Sequence, residues 1–288
     1  MSTATDTTIV IATRDREREL LRTLGAHARS HPRTPVVVVD NGSAVPLAPA
    51  VHREFPDVRV LTSPRNLGAV ARNFGVRHAG TTYVAFSDDD SWWAPGALAT
   101  AEDVLDAHPH LALVAATTLV GPEERPDPVV AEMARSPLRG AHPVPGPALL
   151  GFTACSAVVR REAFAAVGGF SPLLFFVGEE KLLSYDLAAA GWDLAFVASV
   201  VAHHHPSPHR QSSHRRDATE RRNGVLISWL RRPLRTAAAE SGRLLRDAVR
   251  DPVARAALPG ALRRLPEALA RRQRLPRRVE AAVRLLGH

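Results

Sequence analysis

Three consecutive carboxylates, Asp88-Asp89-Asp90, follow an apolar segment that ends at Phe86. Carboxylates packed this closely repel one another, which raises their pKa values unless a cation lies among them. In proteins that cation is usually Mg²⁺ or Mn²⁺, held by one or two carboxylates together with the phosphate groups of a substrate. The alternative is a solvated acidic turn that binds nothing. The position at the end of an apolar strand favours the metal and phosphate site.

Polar residues also follow two earlier apolar runs. Thr13-Arg14-Asp15-Arg16 follows the first run, and Asp40 comes directly after four valines and before Asn41-Gly42, a turn-forming pair. A carboxylate at position 40 can accept a hydrogen bond from the imide N–H of uracil or thymine, or from a ribose hydroxyl. The same carboxylate can instead cap the turn, and the residue taken alone favours that simpler interpretation.

The elements that carry these residues alternate between strands and helices. Apolar runs predict strands at 8–12, 36–39, 58–61 and 83–86, with helices at 17–28 and 68–79. This order predicts an α/β fold built on an open, mostly parallel, Rossmann-like sheet. Ligands bind such sheets at the carboxyl ends of the strands, where the three polar segments lie. The chain has neither a Gly-rich dinucleotide loop nor a phosphate-binding P-loop, which excludes NAD enzymes and P-loop NTPases.

The second half of the chain predicts fewer regular elements. We expect strands at 111–119, 152–160 and 193–201, helices at 161–167 and 179–191, and a Pro-rich surface loop over 121–147. The last strand runs into His203-His204-His205. Alternation along an extended segment places His203 and His205 on one face and His204 on the other.

Taken together, these motifs resemble the GT-A-fold glycosyltransferases of family 2. The resemblance covers about residues 7–205 and rests on the order and spacing of several short segments. They are Thr13-Arg14-Asp15-Arg16, Val39-Asp40-Asn41-Gly42-Ser43, Asn66-Leu67-Gly68 with Arg72-Asn73 and Gly75, Phe86-Ser87-Asp88-Asp89-Asp90 with Trp93, Pro95 and Leu98, Gly168-Gly169-Phe170, Gly178-Glu179-Glu180, Gly191-Trp192 and the three histidines.

The resemblance implies an inverting transfer of a sugar from a nucleoside diphosphate to an acceptor hydroxyl, assisted by Mn²⁺ or Mg²⁺. It implies that Asp40 contacts the base, that Asp88 contacts the ribose or the metal, and that Asp90 is the direct metal ligand. One of His203 and His205 would complete the metal site. The residues expected to contact a UDP-, TDP- or GDP-linked donor are Thr13, Arg14, Arg16, Asp40, Asn66, Arg72, Asp88 and Asp89. Arg72 can equally be an exposed arginine on a helix.

The pair Glu179-Glu180 stands where the family usually has Glu-Asp. Inverting transfer needs a carboxylate that deprotonates the acceptor hydroxyl as it attacks the anomeric carbon. The family's base is the second residue of the pair, so Glu180 is the candidate and Glu179 its neighbour in the site. The alternative is an acidic first turn of a helix, where carboxylates are favoured by the helix dipole.

Charge divides the chain into an acidic body and a basic extension. Residues 1–205 carry 17 Arg and Lys against 22 Asp and Glu, a net of −5, whereas residues 206–288 carry 20 Arg against 7 acids, a net of +13. The extension can be helices packed on the body. It can also be an amphipathic surface that lies on an anionic membrane near a lipid-linked or cell-surface glycan acceptor. Nucleic acid is a third possibility and is not the expected partner.

These observations predict one GT-A α/β domain and a helical extension. We expect residues 1–110 to bind the donor, 111–205 to bind the acceptor, and 206–288 to form the Arg-rich extension. The polar N-terminus and the absence of a long apolar run predict a cytoplasmic protein. Such a protein can also bind the inner membrane surface as a peripheral protein. Cys155, the only cysteine, excludes an intramolecular disulfide and is expected to be a packed core thiol.

Two other functions share features with this sequence. A sugar-nucleotide pyrophosphorylase has a similar sheet but is expected to carry a Gly-rich phosphate loop after the first strand, and residues 13–16 contain no glycine. A nucleic-acid-binding or membrane-binding scaffold would use the basic extension. Acidic residues at three strand ends fit a nucleic-acid scaffold poorly, because they would repel phosphate.

Overall fold

The computed structural model describes residues 5–207 and 213–287. Its strands are β1 (Thr7–Thr13), β2 (Val36–Asp40), β3 (Arg59–Thr62), β4 (Tyr83–Ser87), β5 (Ser91–Trp93), β6 (Leu111–Val120), β7 (Arg125–Pro126), β8 (Ala157–Arg160) and β9 (Asp193–His204). Its α-helices are α1 (Glu17–Ser30), α2 (Ala48–Glu54), α3 (Ala71–His78), α4 (Ala97–Ala107), α5 (Pro128–Ala134), α6 (Arg161–Ala166), α7 (Glu179–Ala189), α8 (Ser213–Arg231), α9 (Leu234–Asp247), α10 (Pro252–Ala270) and α11 (Arg277–Leu285). Short 3₁₀ turns occur at Gly68–Val70 and Ala154–Ser156.

The described strands form one mixed sheet in the order β3-β2-β1-β4-β8-β6-β9-β5, with β7 paired to β6. The first four strands are parallel, as the alternation of strands and helices predicts. β8 pairs antiparallel with both β4 and β6, and β9 is parallel to β6. The predicted α/β fold is thus confirmed, with a parallel half followed by a mixed half.

Apolar side chains cover both faces of this sheet. Helices α1, α2 and α4 bury residues such as Leu20, Val51 and Leu98 against one face. Helices α3, α6 and α7 cover the other face with residues such as Val76, Phe164 and Leu183. The strands are therefore buried on both sides, which explains the uninterrupted valines of β2.

Two predictions for the second half are wrong. The predicted strand over 152–160 begins only at Ala157, because residues 154–156 form a 3₁₀ turn. The predicted loop over 121–147 contains β7 and α5. The side chain of Asp127 accepts a hydrogen bond from the Val129 N–H at the start of α5, and Pro128 occupies the first helical position. Both features favour the start of a helix. The prediction of a loop treated every proline in this segment as a loop residue and therefore missed this helix.

The C-terminal helices pack against α7. Apolar residues of α8, α10 and α11, including Leu226, Ala268 and Val283, share a buried cluster with Leu182 and Tyr185 of α7. Pro259 and Pro266 lie inside α10 and do not end it. None of the helices in the described ranges is long and apolar enough to cross a membrane.

Candidate active site

The three aspartates after β4 point to different partners at the carboxyl edge of the sheet. The turn that carries them is fixed by two bonds: the Asp88 N–H donates to Ser91 Oγ at 2.8 Å, and Thr23 Oγ1 donates to the Asp89 carbonyl at 2.8 Å. Asp88 is about one-third exposed at its side chain, whereas Asp89 and Asp90 are buried. Asp88 is therefore the most accessible carboxylate of the three.

Asp89 links β4 to the segment that follows β1. Thr13 Oγ1 donates to Asp89 Oδ2 at 2.7 Å, and Arg16 Nη1 donates to Asp89 Oδ1 at 2.5 Å. Burial raises the pKa of Asp89 to about 7, although Thr13 and Arg16 act in the opposite direction. Thr13, Arg16 and Asp89, which were predicted to contact the donor, contact one another at the carboxyl edge of the sheet, and their contact with a donor stays a prediction.

Asp90 is surrounded by groups that stabilise its ionised form. Arg16 Nη2 donates to Asp90 Oδ2 at 3.0 Å, the Ser207 N–H donates to the same oxygen at 3.0 Å, and His204 Nε2 lies 3.3 Å from Oδ1. Burial alone would raise the pKa of Asp90, but these hydrogen bonds and the Arg16 charge lower it well below its usual range. Asp90 is therefore a permanent negative charge in the wall of the site.

The histidine that faces this cluster is His204. His203 and His205 lie on the other face of β9 and of the segment after it. There both imidazoles contact the Trp92 ring, with ring centroids 5.6 and 4.6 Å away. His203 Nδ1 also lies 3.2 Å from Glu124 Oε1. The predicted alternation is correct, but His203 and His205 were the wrong candidates for a metal ligand, because the strand presents its other face to the aspartates.

Potential ligand atoms of Asp88, His204 and Cys155 lie within 4.8 Å of one another. The carboxylate of Asp88 and the imidazole of His204 are ligand types that suit Mn²⁺ bound together with phosphate, and Asp90 Oδ1 lies 3.3 Å from His204 Nε2. Cys155 is buried as expected for a core thiol, and burial raises the pKa of its thiol well above the usual value. A neutral thiol does not compete for this metal.

Arg72 is buried on α3 and binds Asp88 through Nη2, at 2.5 Å from Oδ1. Burial opposes its charge, but the carboxylates of Asp88, Glu179 and Glu180 raise the pKa of Arg72 above its normal value. The alternative of an exposed helix arginine is therefore wrong. Its guanidinium carries one positive charge that interacts with all three carboxylates.

Glu179 and Glu180 form the first turn of α7, directly after Gly178, whose φ is +83°. Glu179 is buried, and among the described residues its Oε2 has no hydrogen-bond partner. Glu180 is half-buried. Burial raises the pKa of both carboxyl groups, and Arg72 partly offsets this effect. Two neighbouring carboxyl groups with raised pKa values are suited to proton transfer.

The remaining predicted donor residues have mainly structural contacts. Asp40 is fully buried, and its two oxygens accept backbone N–H groups of Ser43 and Leu47 at 3.0 and 3.1 Å. The turn-capping interpretation of Asp40 is thus the one that its contacts support. Asn66 Oδ1 accepts from the Gly68 N–H at 2.9 Å, which shapes the segment before α3.

Two further residues connect the loops near the aspartates. Arg14 is exposed, and its Nε donates to the Gly42 carbonyl at 3.2 Å. Asn41, which was not predicted as a site residue, accepts from the Leu67 N–H and donates to the Gly68 carbonyl. Its position in the Asp40-Asn41-Gly42 turn is the only sequence signal that marks it. Arg14 and Asn41 join the loops after β1 and β2 to the segment before α3.

The chain is similar in sequence to known glycosyltransferases. The family model described as glycosyl transferase family 2 matches residues 8–168. An N-acetylglucosaminyl-diphospho-decaprenol L-rhamnosyltransferase of Mycobacterium tuberculosis is 28% identical over 249 residues, which covers 69% of this chain and 78% of the relative.

Solved structures share the fold. A Pyrobaculum calidifontis mannosyltransferase in complex with GDP-Man and Mn²⁺ has a TM-score of 0.61 at 20% identity, covering 99% of this chain and 79% of that one. S. aureus TarS residues 1–349 with UDP-GlcNAc has a TM-score of 0.61 at 14% identity, covering 96% and 83%. The family match agrees with the acidic residues found at the carboxyl edge of the sheet. This chain belongs to glycosyl transferase family 2 and is a glycosyltransferase that uses a sugar nucleotide.

Proposed function

We propose that the chain transfers a sugar with inversion from a UDP-, TDP- or GDP-linked donor to an acceptor hydroxyl, and that Mn²⁺ or Mg²⁺ assists. The observation that carries this proposal is that His204 and the buried Arg72 both lie beside Asp88, and that the charges of Arg72 and Glu180 interact. The cluster combines a metal-ligand set, a buried cation and a candidate base, which are the parts that inverting transfer requires.

Asp88, Asp90 and His204 would hold the metal. When bound, the metal would link these residues to the donor diphosphate and offset its negative charge. Arg72 would add a second positive charge, fixed beside Asp88 at 2.5 Å, where charge develops on the departing diphosphate. Because Arg72 is buried, little solvent screens that charge, so its interaction with the diphosphate would be strong.

Glu180 would take the proton from the acceptor hydroxyl. Its residue surface is partly exposed, so an acceptor can reach it, whereas Glu179 is buried. A raised pKa makes Glu180 a stronger base than an ordinary carboxylate. Glu179 would remain in the wall of the site and affect the charge state of Glu180 through their proximity.

Inversion is tested by the anomeric configuration of the product. The enzyme is incubated with UDP-, TDP- and GDP-linked sugars, Mn²⁺ and a short-chain polyprenyl-diphosphate N-acetylglucosamine, an acceptor suggested by the relative's name. Proton NMR of the purified glycoside then reports the new linkage. An inverted linkage supports the proposal, whereas a retained linkage contradicts both the inverting mechanism and the role of Glu180.

We further propose that the C-terminal helices hold the enzyme on the inner, cytoplasmic face of an anionic membrane, close to a lipid-linked acceptor. Leu245 on α9 and Val249 in the turn after it are 54% and 75% exposed, and they lie four residues apart on one face. Leu262 and Leu269 on α10 are also exposed. These apolar groups are surrounded by a sequence with a net charge of +13, a combination that binds anionic lipid surfaces.

Sedimentation with anionic liposomes tests this attachment. Removing the extension is unsuitable, because α8, α10 and α11 contribute to the buried cluster with α7. The variant is therefore Leu245→Ser with Val249→Ser, and the control is Val45→Ser, which removes an exposed apolar group from the donor half. We expect the double variant alone to sediment less, most visibly at low salt. Equal sedimentation of all three proteins, or none by the wild type, contradicts the proposal.

A further inference from the structure

The loop over 171–178, which leads into α7, has an unusual backbone. Phe175 and Val177 have φ angles of +70° and +69°, and Gly178 follows at +83°. Residues with a Cβ avoid this left-handed region, so two of them within three positions persist only where surrounding groups hold them. Because the loop ends directly at Glu179-Glu180, its conformation determines where these carboxylates lie.

A single side chain from the C-terminal extension binds three carbonyls of this loop. Asn223 on α8 is fully buried, and its Nδ2 donates to the carbonyl oxygens of Leu174, Phe176 and Val177 at 3.1, 2.8 and 2.6 Å. Arg222 Nε donates to Asn223 Oδ1 at 2.9 Å. This bond fixes the orientation of the amide, because it leaves the donor end facing the loop.

Other contacts hold the loop from both sides. Arg222 Nη2 donates to the Leu174 carbonyl at 2.9 Å, and Arg264 Nη1 of α10 donates to the Leu173 carbonyl at 2.6 Å. On the opposite side, the Ala69 N–H donates to the Phe175 carbonyl at 2.7 Å. The loop is thus clamped between the donor half and the C-terminal helices.

We propose that Asn223 is a positioning residue that sets the place of the catalytic carboxylates, so that the C-terminal extension is part of the catalytic apparatus. The proposal rests on the function proposed above, in which Glu180 is the base. Asn223 lies outside residues 8–168, the part of the chain that the family model matches. Its role follows from its contacts with residues 174–177.

The sensitive substitution is Asn223→Asp. It keeps the size of the side chain, but it replaces the donor with a carboxylate oxygen that faces three carbonyl oxygens and repels them. The loop then loses the bonds that hold Phe175 and Val177 at positive φ, and the start of α7 shifts. A displacement of about 1 Å at a reacting group can lower the rate about 10²-fold. We therefore expect kcat to fall by about that factor, with little change in the affinity for nucleoside diphosphate.

The control is Ser228→Ala on the same helix. Ser228 is also buried, but it donates to Glu240 of α9 and not to the loop. Transfer kinetics, calorimetric affinity for UDP, TDP or GDP with Mn²⁺, and hydrogen exchange of residues 171–180 are measured for both full-length variants. Only Asn223→Asp should combine a lower kcat, unchanged nucleotide affinity and faster exchange in that segment.

Near-normal kcat and exchange in folded Asn223→Asp, or effects equal to those of Ser228→Ala, overturn the proposal. If Asn223→Asp does not fold, Asn223→Ala replaces it, because it removes the donor without placing a negative charge against the three carbonyl oxygens. Faster exchange at 171–180 with a smaller loss of kcat supports the proposal, and unchanged exchange refutes it. The exchange result is independent of the base: if Glu180→Gln stays active, the proposed chemistry fails while the dependence of the loop on Asn223 is still measured.

Discussion

Replacing Glu180 by Gln tests the assignment of the base. The substitution keeps the size of the side chain and removes its basicity. Proton transfer by a positioned base typically contributes about 10²–10⁴-fold, which corresponds to about 2.7–5.4 kcal/mol of transition-state free energy. Since Glu180 is half-buried and Arg72 contacts Asp88 independently of it, we expect nucleotide affinity to survive while transfer falls by this factor.

The assay compares transfer and nucleotide binding for Glu180→Gln and Glu179→Gln over a range of pH. Burial raises the pKa of Glu180, and the base must be ionised, so wild-type transfer should decline as the pH falls through this raised pKa. Glu180→Gln should show only residual transfer, whereas Glu179→Gln should keep a larger share of activity. Near-normal transfer by Glu180→Gln with an inactive Glu179→Gln would identify Glu179 as the base. Activity in both variants would contradict base catalysis by this pair.

Two further predictions concern the scaffold. His27 is buried on α1, and burial lowers its pKa to about 3, so the folded state binds its proton more weakly than the unfolded state does. Stability from neutral His27 is present above pH 6.5 and lost as the pH falls towards 3. Other groups, such as Asp89 with its raised pKa, change stability in the opposite direction, but they do so in both proteins. In urea unfolding, the change in stability from pH 7.5 to pH 5 should therefore be about 2 kcal/mol less favourable for the wild type than for His27→Gln; an equal pH dependence of the two proteins refutes this. Gly68→Ala should lower stability by more than about 1 kcal/mol, because its Cβ would lie 2.0 Å from the Phe175 carbonyl oxygen at a φ of +62°. Thermal unfolding against the control Gly80→Ala, which meets no atom within 4 Å, checks this, and equal melting temperatures would contradict it.

The sequence predicted the parallel half of the fold and the place of the site. The apolar runs before Thr13, Asp40 and Asp88 define strands, and parallel strands bring their carboxyl ends to one edge. The pair Glu179-Glu180 was found only through resemblance to the family motif. Its meeting with Arg72 and Asp88 depends on the mixed half of the sheet, whose strand order the sequence did not indicate.

The histidines show why alternation alone was insufficient. It correctly separates His204 from His203 and His205, but it does not say which face meets the aspartates. The pairing of β9 with β6 shifts register between Val197 and Val201, so three extra residues bend the strand before the histidines. Such an irregularity resets which face points inwards.

The contribution of Asn223 was also hidden in the sequence. The residue lies in an arginine-rich stretch that was interpreted by its net charge, and no local motif marks it. Its partners are backbone carbonyls about fifty positions earlier, so only the packing of α8 on the loop reveals the contact. Contacts from side chains to distant backbone groups leave no pattern in the sequence.

The most direct test of a metal-coupled donor site is the binding of nucleoside diphosphates with and without the metal. Calorimetric titrations of UDP, TDP and GDP are carried out in Mn²⁺ and in EDTA, for the wild type and for Asp88→Asn. Arg72 and Arg16 offset part of the charge of Asp88 and Asp90, and a bound metal would offset the negative charge that a diphosphate adds beside these carboxylates. We predict clear binding of at least one nucleotide in Mn²⁺, much weaker binding in EDTA, and loss of the metal effect in Asp88→Asn. Equal affinity in Mn²⁺ and EDTA would contradict the metal-bridged site.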